Sequence, residues 1–139
     1  MRSDLTVRLN NYHDLPVIQA LYEASGKEPY PLWNWSCNTH GWWLIVEDVA
    51  GRALGCVQLY LSQPQAFLDL LCVPVVLPQQ FKAKVVRALC LHARAVLASF
   101  GVRTVSFQAD MLDGDWAKIL ARYGARYVHH RPTYIMQVI

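Results

Sequence analysis

Val76-Leu-Pro-Gln-Gln-Phe-Lys-Ala-Lys-Val-Val-Arg-Ala-Leu89 separates an apolar, strand-like run from a long helix-like one. A strand that turns directly into a helix is the layout that cradles phosphate. The helix N-terminus offers unpaired backbone N–H groups and the positive end of its dipole. Turns of this kind usually carry glycines, which let the backbone approach the anion closely, and this stretch has none. Upstream, Phe67 to Val76 reads as a central strand buried on both faces. Pro74 within it cannot donate to a ladder, so a bulge or splay is expected there. Downstream, Val85, Val86, Leu89, Ala93, Val96, Leu97 and Phe100 recur at helical spacing from about Gln79 to Phe100. Lys84, Arg87 and Arg94 fall on the opposite side, and Gly101 suits the C-terminal cap. Val102 to Gln108 is the next strand, giving a strand–helix–strand unit that closes as a right-handed parallel crossover.

Working outward, Leu5 to Leu9 is a first strand, followed by a helix capped at Asn11 or Asp14 with Pro16 in its first turn. Val17, Ile18, Leu21 and Tyr22 form its apolar stripe, and Gly26 ends it. Lys27 to Gly41 is irregular. Trp42 to Glu47 and Ala53 to Leu61 are strands joined by a short hairpin around Gly51. Asp113 or Asp115 caps a shorter helix carrying Trp116, Ile119, Leu120 and Tyr123 and closed by Gly124. Arg126 to Val128 and Thr133 to Val138 are the last strands. The result is one mixed α/β domain over residues 1–139, with a six- to seven-stranded mixed sheet and helices on both faces.

The 139 residues are 54% hydrophobic and 17% charged, which fits a folded domain and excludes a disordered chain. A net charge of +3 without a polybasic run disfavours nucleic-acid binding through Lys82, Lys84, Arg87 and Arg94. No run reaches the ~18 apolar residues of a membrane helix, and the N-terminus has no signal-peptide core. Cys37, Cys56, Cys72 and Cys90 lie far apart, three of them in apolar segments. They are expected to be reduced, which points to a cytoplasmic protein.

The order of elements, the hairpin Glu47-Asp-Val-Ala-Gly-Arg-Ala-Leu-Gly55 and the segment Ala117-Lys-Ile-Leu-Ala-Arg-Tyr-Gly-Ala125 together resemble the GNAT family of acyl-CoA-dependent N-acetyltransferases. Val76-x-Pro78, followed after eight residues by Arg87-Ala-Leu89, matches the spacing of that family's central cofactor motif. The resemblance implies acetyl-CoA or another acyl-CoA as cofactor and a small-molecule or protein amine as acceptor. It also implies backbone amides near Val73 and Val75 that polarise the thioester carbonyl, with Val76 also binding the cofactor. The family's loop reads Arg/Gln-x-x-Gly-x-Gly/Ala. In the gapless frame this chain has Phe81, Lys84 and Val86 there; slid by one residue, it has Gln80, Ala83 and Val85. Both frames leave side chains where phosphate approaches, with Lys82 and Lys84 as compensating charges. Lys84→Gly with Val86→Gly would then restore the small residues. Leu120 stands where many family members carry an acid-donating tyrosine, and Tyr123 continues the core stripe.

Asp69 interrupts the apolar run before the loop and is the candidate general base; the plainer reading is a strand-end carboxylate that is solvated or paired with an arginine. Tyr30, Trp33 and Trp35 lie in the proline-rich irregular segment, where the resemblance places the acceptor cleft. The adjacent His129 and His130 point apart in extended backbone, so no metal site is expected. Two functional readings stand: a divergent N-acyltransferase, and an inactive protein of the same fold serving as a binding or assembly module through its aromatic surface.

Overall fold

The computed structural model describes residues 4–26, 42–62, 65–108, 121–122, 126–128 and 133–137. Its strands are β1 (Thr6–Leu9), β2 (Trp42–Glu47), β3 (Ala53–Ser62), β4 (Gln65–Cys72), β5 (Thr104–Gln108), β6 (Arg126–Val128) and β7 (Thr133–Gln137). The helices are α1 (Leu15–Ala24) and α2 (Gln79–Ser99). The strands form one mixed sheet in the order β1-β2-β3-β4-β5-β7-β6. Among the described strands, only β4 and β5 pair in parallel, joined through α2; the other neighbours are antiparallel. The shorter helix expected from Asp113 to Tyr123 lies outside the described residues, apart from Ala121 and Arg122.

β2 has a helix layer on each side. Alternate residues Leu44 and Val46 join the core under α2, with Val57, Leu68, Val85, Val86, Leu89 and Leu97. Trp43 and Ile45 join the core under α1, with Ile18, Leu21, Tyr22, Cys56 and Cys72. The period of two along a strand produces this division. It also splits the Trp42-Trp43 pair: Trp43 is buried, whereas Trp42 is exposed and packs its ring 5.2 Å from that of Phe100 at the end of α2.

The start of α1 uses both candidate caps. Asn11 Oδ1 accepts from the His13 amide at 2.9 Å, and Asp14 Oδ2 accepts from the Asn11 amide at 2.8 Å. These two bonds close a short 3₁₀ turn (Tyr12–Asp14) that runs into α1. Asp14 is buried and also takes a two-pronged contact from the Arg8 guanidinium at 2.7 and 2.8 Å. Arg8 Nε reaches Glu47 at 2.8 Å, so one guanidinium ties β1, β2 and the head of α1 together. The Arg8 hydrogen bonds hold the Asp14 carboxyl below the usual carboxylate range, against the opposing effect of burial.

The expected strand Phe67 to Val76 needs correction at both ends. β4 starts at Gln65 and stops at Cys72, and Val73 and Pro74 leave the sheet. Proline has no N–H for the ladder and forces the residue before it into extended backbone. Beyond it the chain turns: Leu77 N–H donates to the Pro74 carbonyl at 3.2 Å, with Val75 and Val76 at the corner. Apolar composition alone made this turn look like strand.

Candidate functional site

β4 changes character at Asp69. The parallel ladder with β5 runs from Gln65↔Thr104 to Leu68↔Phe107, four residues before β4 ends. Across the other edge, Gln58 faces Asp69 while Cys56 faces Cys72, so two steps along β3 match three along β4. β4 therefore carries one extra residue between Asp69 and Cys72. Bulges of this kind bend a strand and re-aim its side chains, and they recur beside active sites. The described β4–β5 ladder thus ends at Leu68, and the bulge lies on the C-terminal side of Asp69.

The head of α2 faces the same end of β4. Pro78 is its N-cap and supplies no side-chain bond, and the first turn holds no acidic residue. The Pro78 carbonyl accepts from the amides of both Phe81 and Lys82 at 2.9 Å. The helix thus begins with backbone N–H groups and a positive dipole, without an acidic residue in its first turn, an arrangement suited to an anion. Gln80, Lys84 and Arg87 lie on the exposed stripe of α2; Phe81, Lys82 and Ala83 are half-buried.

Val85 and Val86 lie away from the exposed stripe of α2. Both are fully buried in the core beneath α2. Glycine at position 86, as in Lys84→Gly with Val86→Gly, would open a cavity in that core. The neighbour of Val85 explains how a bulky residue fits where the similar motif has a small one. A Cβ on Gly55 of β3 would lie 2.7 Å from Val85 Cγ1 and 3.2 Å from the Cys72 carbonyl oxygen. Gly55 thus leaves the room that Val85 fills.

Val73 packs into the α2-side core directly after the strand end. Val75 and Val76 are 56% and 85% exposed at the turn. The Val75 amide is occupied, donating to the Ala24 carbonyl at the end of α1 at 3.0 Å. It cannot also polarise a substrate carbonyl, which leaves the Val73 amide as the nearer candidate. The same bond fixes the exit of α1: Gly26, at φ +81°, sits so close to Val75 that a Cβ there would be 3.4 Å from Val75 Cγ1. Gly26 therefore lies beside the turn that follows β4. Tyr30, Trp33 and Trp35 themselves lie outside the described residues, as do Leu120 and Tyr123, and the side chain of Asp69 is likewise not described.

Two features escaped the sequence reading. Gln58 is fully buried in β3, opposite Asp69; a single polar residue inside Leu54-Gly-Cys-Val-Gln-Leu59 was the available signal. Cys56 and Cys72 face each other across the ladder as buried, reduced thiols. Cys90 is buried beneath α2, and burial pushes its thiol up to about 12. Among the described residues, no group of three His, Cys, Asp or Glu side chains is placed to hold a metal ion, and no helix is long and apolar enough to cross a membrane.

No protein-family model matches the sequence. No curated protein matches it significantly either. Solved structures do match, at low sequence identity. The ribosomal-protein-S18-alanine N-acetyltransferase from Escherichia coli superposes with a TM-score of 0.78 at 14% identity, covering 96% of this chain and 94% of that one. A GNAT-family acetyltransferase from Staphylococcus aureus Mu50 gives 0.77 at 10% identity, over 97% and 99%. A GNAT-family N-acetyltransferase from Escherichia coli in complex with CoA gives 0.69 at 15% identity, over 100% and 84%. With the sheet order, the parallel β4–α2–β5 crossover and these superpositions, the chain has the fold of the GNAT N-acetyltransferases.

Proposed function

We propose that this chain moves an acyl group from acyl-CoA to an amine, as a divergent N-acyltransferase of the GNAT fold. One observation carries this reading: the bulge in β4 after Asp69 and the head of α2, with no acidic residue in its first turn and no side-chain bond from its N-cap, both follow at the C-terminal end of β4. The thioester would lie there, between β4 and β5. Its pyrophosphate would lie at the first turn of α2, held by backbone N–H groups near Gln80 and Phe81 and by the charges of Lys82 and Lys84. Ala83 completes that turn with a small side chain. The Val73 amide would polarise the carbonyl as the amine nitrogen attacks. Asp69, directly or through a water, takes the amine proton; the N–C bond forms, the C–S bond breaks and CoA leaves as a thiol after gaining a proton. With leucine at position 120, that proton comes from solvent or from another group, a change that costs about 10²–10⁴-fold at most. The acceptor is a small-molecule or protein amine, reached past Tyr30, Trp33 and Trp35.

A second reading, a binding or assembly module without catalysis, is favoured by the glycine-free turn and by Val75 and Val76 standing exposed beside it. Calorimetric titration of the purified protein with acetyl-CoA separates the two. Affinity on the order of micromolar, or about −8 kcal/mol, together with thiol release in the presence of amines, supports the transferase. Absence of heat at millimolar acetyl-CoA rejects it and selects the module.

A further inference from the structure

Cys56 of β3 and Cys72 of β4 are register partners, and neither has any exposed surface. Both belong to the core under α1, so the two thiols lie on the same face of the sheet. Directly opposed residues on antiparallel strands have Cα atoms about 4.5 or 5.5 Å apart. Both values fall inside the ~4.4–6.8 Å that a disulfide spans. Their Cβ atoms stand about 4.5–5.5 Å apart, so a disulfide needs them drawn together by up to about 1 Å. Two features beside the pair favour that movement. Residue 55 is glycine, and a Cβ there would be 3.2 Å from the Cys72 carbonyl oxygen, so the two backbones are already in close contact. β4 also carries its extra residue between Asp69 and Cys72, where the ladder is locally disrupted. Ile18, Leu21, Tyr22, Trp43 and Ile45 pack around the two thiols, and no charged side chain belongs to that described cluster. An oxidant that reaches them must therefore be small and uncharged, as hydrogen peroxide is.

We propose that Cys56 and Cys72 are a redox pair that closes to a cross-strand disulfide within the native fold, with hydrogen peroxide as the oxidant. One thiol, as its thiolate, attacks a peroxide oxygen; the O–O bond breaks, a sulfenic acid forms, and the departing hydroxide takes the thiol proton and leaves as water. The opposite sulfur then attacks the sulfenic sulfur, the S–S bond forms and a second water leaves. Two thiols and one peroxide thus give one disulfide and two waters. A thiol reductant restores the pair by exchange. Position gives the bond its consequence. Cys72 is the last residue of β4, directly before Val73 and Pro74 leave the sheet. A disulfide there pins the strand end to β3 and fixes the backbone that leads into the turn at Val75 and Val76. Cys90 cannot replace either cysteine, because it lies in the core on the other face of the sheet, under α2. The pairing is independent of acyl-CoA binding and stands under either reading of the chain's function.

The test treats the folded chain with hydrogen peroxide, removes the oxidant, blocks the remaining thiols with N-ethylmaleimide in urea, and maps the unreduced peptides by mass spectrometry. The expected result is loss of the mass of two hydrogens, a linked peptide pair containing Cys56 and Cys72, and alkylation at Cys37 and Cys90 alone. The melting temperature of the oxidised protein should rise by about 5–10 °C, because the bond restricts the unfolded chain between the two positions. Dithiothreitol should reverse both the mass change and the shift. Cys56→Ala and Cys72→Ala should each abolish the linked pair and the shift. Wild type that keeps all four thiols open to alkylation, or that links them only once urea is present, overturns the proposal. So does sulfinic or sulfonic acid at Cys56 or Cys72 without a link, and so does a bond from either of them to Cys37 or Cys90. A linked pair with an unmoved melting temperature overturns the claim that the bond pins the strand end. Should an alanine variant fail to fold, the linked peptides of the wild type decide, since they are read without any substitution.

Discussion

Alanine at position 55 would put its methyl 2.7 Å from Val85 Cγ1 and 3.2 Å from the Cys72 carbonyl oxygen. Carbon atoms rest about 3.5–4.0 Å apart, so α2 or β3 must give way by nearly 1 Å. Valine has a stiff χ1 and cannot swing its methyl aside, and Cys72 is backbone. Overpacking of this kind costs about 1–3 kcal/mol, offset in part by the ~0.5–1 kcal/mol that alanine gains over glycine within a strand. Gly55→Ala should therefore lose about 1 kcal/mol or more. Val85→Ala alone removes two buried methyl groups, worth about 1.6 kcal/mol at ~0.8 kcal/mol each, plus a cavity cost and minus the better helix propensity of alanine. In the double variant the new methyl occupies the space that Val85 vacates. The two changes should fall short of additivity by about 1–2 kcal/mol. Urea denaturation followed by circular dichroism measures all four corners of the cycle. A coupling within about 0.5 kcal/mol of zero, or a Gly55→Ala protein as stable as wild type, refutes the claim that Gly55 makes room for Val85.

Removal of Asp14 should cost about 2 kcal/mol, from the hydrogen bonds it makes to Arg8 and to the Asn11 amide; a thermal melt of Asp14→Ala checks this. Because its folded pKa is lowered, the contribution is present above the unfolded value near ~3.9 and is lost as pH falls through the folded value. The wild type's stability should thus decline in acid more steeply than that of Asp14→Ala, and parallel pH–stability curves would refute this. Cys56, Cys72 and Cys90 should resist iodoacetamide in the native protein at pH 8 and react in urea. For Cys90, with its thiol near 12, the native rate should be on the order of a thousandfold slower; peptide mass spectrometry reads each site, and ready native labelling of Cys90 contradicts its burial. If acyl-CoA binds as proposed, Lys82→Ala and Lys84→Ala should each weaken it by ~1.5–3 kcal/mol, or about ten- to a hundredfold. The wild-type affinity should also fall with salt; alanine variants that titrate like wild type remove the lysines from the site. Val86→Gly should destabilise the fold by about 2–4 kcal/mol without improving acyl-CoA binding, as a melt and a titration on the same sample would show.

Sequence alone determined the class of fold, because one-dimensional periodicity records which face of each element meets the core. The three- and four-residue spacing from Val85 to Leu97 placed α2, the apolar runs placed β2 to β4, and the intervening helix fixed the parallel crossover. Glycines and prolines marked most boundaries, since backbone freedom and missing N–H groups act locally. Where the local signal misled, composition was at fault: Val75 and Val76 are as apolar as strand residues, but Pro74 had already ended the ladder. Tertiary structure decided what depends on pairs distant in sequence. That Gly55 makes room for Val85, that Ala24 occupies the Val75 amide, and that Gln58 and Cys56 face Asp69 and Cys72 all follow from strand register and from a bulge one residue long. Register is set by the whole sheet at once, so no local stretch of β3 or β4 records its partner.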